Sequence, residues 1–153
     1  MNIGIVGHEA KKFIPLTEQM AKELIRQLLE PANSVLVSGH CHLGGIDIWA
    51  EEIATLLGKP KLIYAPEHHS WDRGYKPRNI KIAENSNVVH SIVVAKYPPT
   101  YEGMRFEDAV TGEPYCYHCN NNTHVKSGGC WTAKYAKSLG KQGFIHVLET
   151  ENG

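Results

Sequence analysis

A three-layer, Rossmann-like α/β fold is what this sequence predicts, and three observations predict it. The apolar runs are short and continuous, without the polar alternation of a sheet that faces water on one side. Stretches of helical period separate them. Prolines and glycines punctuate the ends of those stretches. Strands buried on both faces and joined by helices make a parallel sheet covered on both sides. Right-handed crossovers and a reversal in mid-sheet favour the order 3-2-1-4-5 for five strands.

The elements follow in order. Ile3-Gly4-Ile5-Val6 is a buried strand that ends in Gly7. Residues 16–29 form a helix: Leu16, Met20, Leu24 and Leu28 recur every four positions, and Ile25 and Leu29 widen the stripe. Pro15 and Pro31 flank it. Val35-Leu36-Val37 is the second strand. Ile46, Ala50, Ile53 and Leu57 make the next helical stripe, stopped by Gly58-Lys59-Pro60. Leu62-Ile63-Tyr64-Ala65 is the third strand, and residues 77–85 are a helix with proline in its first turn. Val88-Val89 with Ile92-Val93-Val94-Ala95 is the fourth strand. Residues 131–139 are a helix ended by Gly140, and residues 144–148 are the fifth strand. Residues 97–126 break this rhythm with Pro, Gly, Tyr, Asn, Cys and His. A loop of about thirty residues inside a compact domain is functional or is held by something.

The 153 residues, 1–153, amount to a single domain that is 42% hydrophobic and can bury a core. Lys plus Arg equals Asp plus Glu at 16 each, so no net field draws the chain to nucleic acid or an anionic membrane. No apolar run approaches the ~20 residues of a membrane span. The start lacks the basic and apolar regions of a signal peptide. These features predict a cytoplasmic protein with reduced cysteines, where a Cys-x-x-Cys pair is a metal or redox feature.

In an open parallel sheet, ligands bind beyond the carboxyl ends of the strands. The loop after strand one offers Gly7 and His8. The loop after strand two offers Ser38, Gly39, Gly44, Gly45 and Asp47. Gly45 and Ile46 stand where an ATPase loop needs Lys and Ser/Thr, so this is not one. Asp47 suits either the helix dipole or a ribose hydroxyl. Arg78, beside Asn79, opens a helix, where a cation gains nothing from the dipole and an anionic ligand would pair with it. Lys126, Ser127, Gly128, Gly129 and Thr132 surround another helix start, a generic phosphate site.

Cys116-x2-Cys119-x4-His124-x5-Cys130 reads as a zinc knuckle one residue longer than usual. His118 competes with His124 for the third place. Cys130, His40, Cys41, His42 or water would supply the fourth ligand. A closed four-ligand shell would be structural and would pin the long loop; a metal-free loop with reduced thiols is the bland alternative.

Three loops, "SGHCHLGGIDIWAEEIA", "YKPRNIKIAENSNVV" and "SGGCWTAKYA", together resemble the SLOG superfamily of Rossmann-like nucleotide-binding proteins. Its members include the LOG or lysine-decarboxylase-like phosphoribohydrolases and the molybdenum-cofactor carrier-like proteins. The resemblance implies that Arg78 matches an Arg of a Glu-Arg-Lys motif, with Asn79 in place of its Lys. It also implies that Ser127, Gly128, Gly129 and Thr132 match a phosphate-binding Gly-Gly-x-Gly-Thr motif, with Trp131 replacing a glycine. Tyr135 stands where the family places a catalytic Glu, so the resemblance implies that the phosphate half of the site is kept and leaves the chemical half without the motif's carboxylate.

The sequence therefore predicts a protein that binds a small-molecule nucleotide or nucleotide derivative through phosphate-cradling loops, without requiring catalysis. The alternatives are a LOG-like hydrolase of nucleoside monophosphates, with an acid drawn from Glu51, Glu52 or Glu67, and a zinc-knuckle adaptor for nucleic acid. The neutral charge disfavours the last. A homo-oligomer is compatible with all three. Loss of Arg78 is expected to weaken nucleotide binding and leave the empty protein's melting temperature nearly unchanged.

Overall fold

The computed structural model describes residues 1–150. Five strands form one parallel sheet in the order β3-β2-β1-β4-β5. They are β1 (Asn2–Gly7), β2 (Val35–Ser38), β3 (Lys61–Ile63), β4 (Val88–Val94) and β5 (Gln142–Leu148). The helices are α1 (Pro15–Leu29), α2 (Ile46–Leu56), α3 (Lys76–Asn85) and α4 (Gly128–Ser138). The order reverses between β1 and β4, so the crevice beyond Gly7 and Val94 is where this topology puts a ligand.

Side chains alternate across the sheet and fill two cores. On one face Ile3, Ile5, Leu36, Val88 and Ile92 meet Ala21, Ile25 and Leu29 of α1 and Ile46, Ala50 and Ala54 of α2. On the other, Val37 and Val89 meet Ile82 and Ala83 of α3 and Ala133 and Ala136 of α4. The strands read as continuous apolar runs because both faces are covered. The edge strand β3 is the exception: all three of its residues are exposed.

Strand β3 ends at Ile63 rather than Ala65, and β5 starts at Gln142 rather than Phe144; two further differences bear on the site. Helix α4 begins at Gly128, three residues before its apolar stripe, because Ser127 caps it with a hydrogen bond from Gly129 N–H to Ser127 Oγ of 3.1 Å. A single π turn, Trp71–Tyr75, runs directly into α3. No helical period marks it, so it reads as loop in sequence. Between β4 and α4 no helix or strand forms, only the isolated bridges Glu107–Pro114 and Cys116–Asn121. Among the described residues no helix is long and apolar enough to cross a membrane.

Candidate functional site

A cleft of about 670 Å³ opens at the reversal point, walled by the ends of β1, α2, α3 and α4 and by the long loop. Its floor is the start of α4. A Cβ at Gly129 would come within 2.9 Å of Ser91 Oγ and 3.0 Å of Val6 Cγ2, so glycine lets the helix press onto the sheet. A Cβ at Gly128 would meet nothing within 4 Å, because that residue faces open space. Gly129 N–H is taken by Ser127 Oγ and Cys130 N–H by Ser127 O, each at 3.1 Å, which leaves Gly128 N–H and the helix dipole to attract an anion.

Two amines join this floor, Lys126 and Lys12. The Lys126 ammonium lies 4.9 Å from the Phe106 ring centre and 5.4 Å from that of Tyr117. These π faces hold the cation at the rim without neutralising it. Burial lowers the Lys12 pKa, and Glu9, 4.0 Å away, opposes that shift. Much of the remaining lining is aromatic. Trp71 packs edge-on to Trp131 at 5.3 Å, Trp131 stacks on Tyr135 at 5.2 Å, and Tyr75, Tyr117 and His118 extend the surface.

The residues around α2 have different work. Gly45 has φ of 84°, and a Cβ there would sit 2.3 Å from His8 O. Ile46 N–H donates to that same His8 carbonyl at 3.1 Å, so the α2 N-terminus is closed by the chain itself. Asp47 then fills the place an anion would take. Its Oδ2 accepts Cys41 N–H at 3.1 Å and lies 3.7 Å from Arg78 Nη1. Arg78 also donates to Gly39 O at 2.6 Å and to Asn79 Oδ1 at 2.8 Å. The guanidinium occupies the space beside Gly39, which is why no side chain fits there. Burial raises the Asp47 pKa from 3.8 to about 6, and Arg78 holds it from going higher.

Of the sequence-predicted residues, Gly7, His8, Asp47, Arg78, Asn79, Lys126, Ser127, Gly128 and Gly129 line the cleft. Ser38, Gly39, Gly44, Gly45 and Thr132 stand behind it. Ser38 Oγ donates to Glu51 Oε2 at 3.1 Å, and Thr132 Oγ1 donates to Gly128 O at 3.3 Å, so both hydroxyls serve the scaffold.

His8 lines the cleft with both ring nitrogens already engaged. Its Nδ1 accepts Val94 N–H at 3.1 Å, which fixes the tautomer. Its Nε2–H donates to Val125 O and Lys126 O, each at 3.1 Å. The ring thus ties β1 to β4 and sets the position of Lys126. Burial, helped by Lys12, lowers its pKa from 6.5 to about 3. A lowered folded pKa means that the unfolded chain binds the proton first. The stability His8 supplies is complete above about pH 6.5 and is lost as pH falls toward 3. His8→Gln, which does not titrate, should flatten the pH dependence of urea unfolding between pH 7 and 5 by up to about 1.4 kcal/mol per pH unit. Parallel profiles for the two proteins would refute this role.

Beside the cleft, Cys116, Cys119, His124 and Cys130 bring one donor atom each within 4.8 Å of one another, a group of the size that holds one metal ion. His124 Nε2 lies 3.5 Å from Cys130 Sγ. Zn–N bonds of about 2.0–2.1 Å and Zn–S bonds of about 2.3 Å across a tetrahedral angle separate N and S by about 3.6 Å. The other ring nitrogen, Nδ1, contacts Thr123 Oγ1 at 2.8 Å, and that hydroxyl bonds Asn121 Oδ1 at 2.9 Å. Such an outer pair orients a ligating imidazole. Without a cation the thiols crowd: Cys130 is pushed up, first by its hydrogen bond to Cys116 and then by burial, and the same hydrogen bond holds Cys116 low. Neither His118 nor residues 40–42 enter this group. His118 lines the cleft instead, and His40 Nδ1 pairs with Glu51 at 2.9 Å.

A second concavity of about 680 Å³ lies between α1 and the ends of β4 and β5. Ile14, Leu16, Met20, Val94, Pro98 and Leu148 give it an apolar lining, and Lys12, Thr17, Lys96, Glu149 and Thr150 also line it.

No family model matches the chain, and no curated protein matches it. Among solved structures it is similar to the molybdenum cofactor carrier protein from Chlamydomonas reinhardtii. The identity is 16%, the alignment covers 95% of this chain and 87% of that one, and the TM-score is 0.47. At that distance the likeness carries no argument about the site.

Sequence reasoning missed Lys12, Glu9, Trp71, Tyr75 and Tyr117 as cleft residues. Lys12 lies in a 3-10 turn, Ala10–Lys12, after β1, and the rings come from segments without period or motif. The one usable clue was the density of aromatic residues in loops after strands, where this topology places ligands.

Proposed function

We propose that this protein binds a phosphorylated nucleotide or nucleotide derivative in the cleft, as a SLOG-like protein, and that zinc fills the Cys3His cage in a structural role. The observation that carries the first part is the floor of the cleft: the start of α4 at Gly128, the turn residue whose N–H is not taken by the Ser127 cap, with Lys12, Lys126 and several aromatic rings lining the same cleft. A phosphate suits the Gly128 end of the helix and the amines, and a base suits the rings. The second part is supported by four donors at the spacing and size of a closed tetrahedral shell. The neutral chain gives a long nucleic acid no field to follow.

Lys126→Ala should weaken AMP binding by about 10–100-fold, as for a lost charge-assisted hydrogen bond of about 1.5–3 kcal/mol. Titration calorimetry with AMP and adenosine checks it. Equal affinity for the two would end the idea of a phosphate site.

Hydrolysis of an N-glycosidic bond is the second reading, and one residue favours it. Asp47 is a buried carboxyl in the cleft whose pKa of about 6 suits a general acid or base. Glu52 and Glu67 are exposed, and Glu51 is held by Ser38 and His40. Tyr135 packs under the α4 core and lies outside the cleft. With Asp47 already bound by Arg78 and Cys41, release of adenine from AMP should stay far below the usual enzymatic range of about 1–10³ per second. Turnover within that range, abolished in Asp47→Asn, would make hydrolysis the primary function.

A further inference from the structure

The cage and the cleft are made by the same stretch of chain. Tyr117 and His118, which line the cleft, are the two residues between Cys116 and Cys119. Lys126 follows His124 by two positions. Gly129 and Trp131, also cleft residues, flank Cys130. Every cage residue therefore lies within two positions of a cleft residue.

Residues 97–126 contain no helix or strand. Val125 N–H bonds Val94 O and His8 holds the Val125 and Lys126 carbonyls, but between Cys116 and His124 the backbone bonds stay within the knuckle: Cys116 N–H to Asn121 O, and Cys119 and Asn120 N–H to Cys116 O. Lys134 Nζ donates to His118 O, which ties the knuckle to α4. Trp71 then reaches across the cleft to His118 at 6.2 Å and to Trp131 at 5.3 Å. The π turn that carries Trp71 thus rests on one ring of the knuckle, His118, and on the ring that follows Cys130, Trp131.

We infer that the cage and the cleft form one cooperative unit, in which a metal ion in the cage raises the affinity of the cleft for its ligand. This rests on the zinc and nucleotide readings above. Fixing a loop residue costs conformational entropy. In the metal-free protein the ligand must order the knuckle as it binds; in the loaded protein the metal has already done so. Linkage makes the effect reciprocal: the ligand tightens metal binding by the same factor.

The test uses the whole chain with zinc and AMP as probes. Zinc removal by a chelator should weaken AMP binding at least about tenfold, while the far-ultraviolet dichroism of the sheet and helices persists. AMP should raise the affinity for zinc by the same factor. Equal AMP affinity with and without zinc overturns the inference, as does a protein that takes up no zinc. Should the stripped protein lose its fold, Thr123→Val serves instead. It keeps the four cage residues and loosens the His124 ring, so AMP binding must then follow zinc occupancy across a titration, and independence from occupancy overturns the inference. If the zinc-loaded protein binds no AMP, the nucleotide reading fails and the coupling is read by hydrogen exchange at residues 70–75. Faster exchange there after zinc removal supports it, and unchanged exchange overturns it.

Discussion

Cys130→Ala should purify with less than about a tenth of an equivalent of zinc, where the parent protein holds close to one. Cys130 is fully buried, and its sulfur is 3.5 Å from His124 Nε2 and 3.6 Å from Ser91 Oγ. Deleting it opens a four-ligand shell to three, and the space it leaves is packed against Val93 and Ile145 rather than open to water. A three-ligand site needs water in the fourth position, and this environment offers little. Structural zinc sites bind with apparent energies of about 10–16 kcal/mol, so the loss should exceed that of any other single substitution here. Cys41→Ala is the control. Cys41 is the one cysteine outside the cage; it lies beside Asp47 and its sulfur has no part in the group of four donors. Elemental analysis after competition with a chelator decides the matter. Full zinc in Cys130→Ala, or zinc lost in Cys41→Ala, would mean that the metal is elsewhere.

That set of four was legible in sequence because ligand spacing is a local property. Two thiols two residues apart fix half of a tetrahedron wherever they occur. What the spacing left open was the allegiance of Cys130, which also begins a helix. The fold places its sulfur with the other three donors: the α4 cap at Ser127 turns Cys130 toward Val93 and His124, while Gly128 faces the cleft. The strands and helices were legible for a related reason, since burial on both faces or along one stripe imprints a period. The cleft was legible only in part. Its position follows from the strand order, and its glycines and Lys126 sit where the topology demands. Lys12, Trp71 and Tyr75 carry no period, and only the folded chain brings them together. The glycines after β2 show the converse: Gly39 and Gly45 look like a phosphate loop, yet Arg78 and the His8 carbonyl occupy the space beside them. A glycine records that something comes close, without recording what.

Arg78→Ala should destabilise the empty protein by about 3–5 kcal/mol at neutral pH, the usual cost of stripping a buried charge of its partner. This replaces the sequence expectation of an unchanged melting temperature. There, Arg78 was a free cation awaiting an anionic ligand; here its side chain is 12% exposed, that of Asp47 is 7% exposed, and the two are 3.7 Å apart. Removing the guanidinium also frees Gly39 O and Asn79 Oδ1. The penalty should depend on pH in a defined direction. Asp47 has a folded pKa of about 6, above its ordinary 3.8, so its ionisation costs the fold stability as pH rises through 6. Without Arg78 that pKa climbs further, and the variant escapes part of the cost by keeping the proton. The destabilisation should therefore be larger at pH 8 than at pH 5.5 when measured by urea unfolding. Adding Asp47→Asn should recover part of it at pH 8 and little at pH 5.5, because the carboxyl is by then neutral in either background. A melting temperature unchanged by Arg78→Ala at both values would return Arg78 to the role of a ligand clamp, with Asp47 protonated beside it.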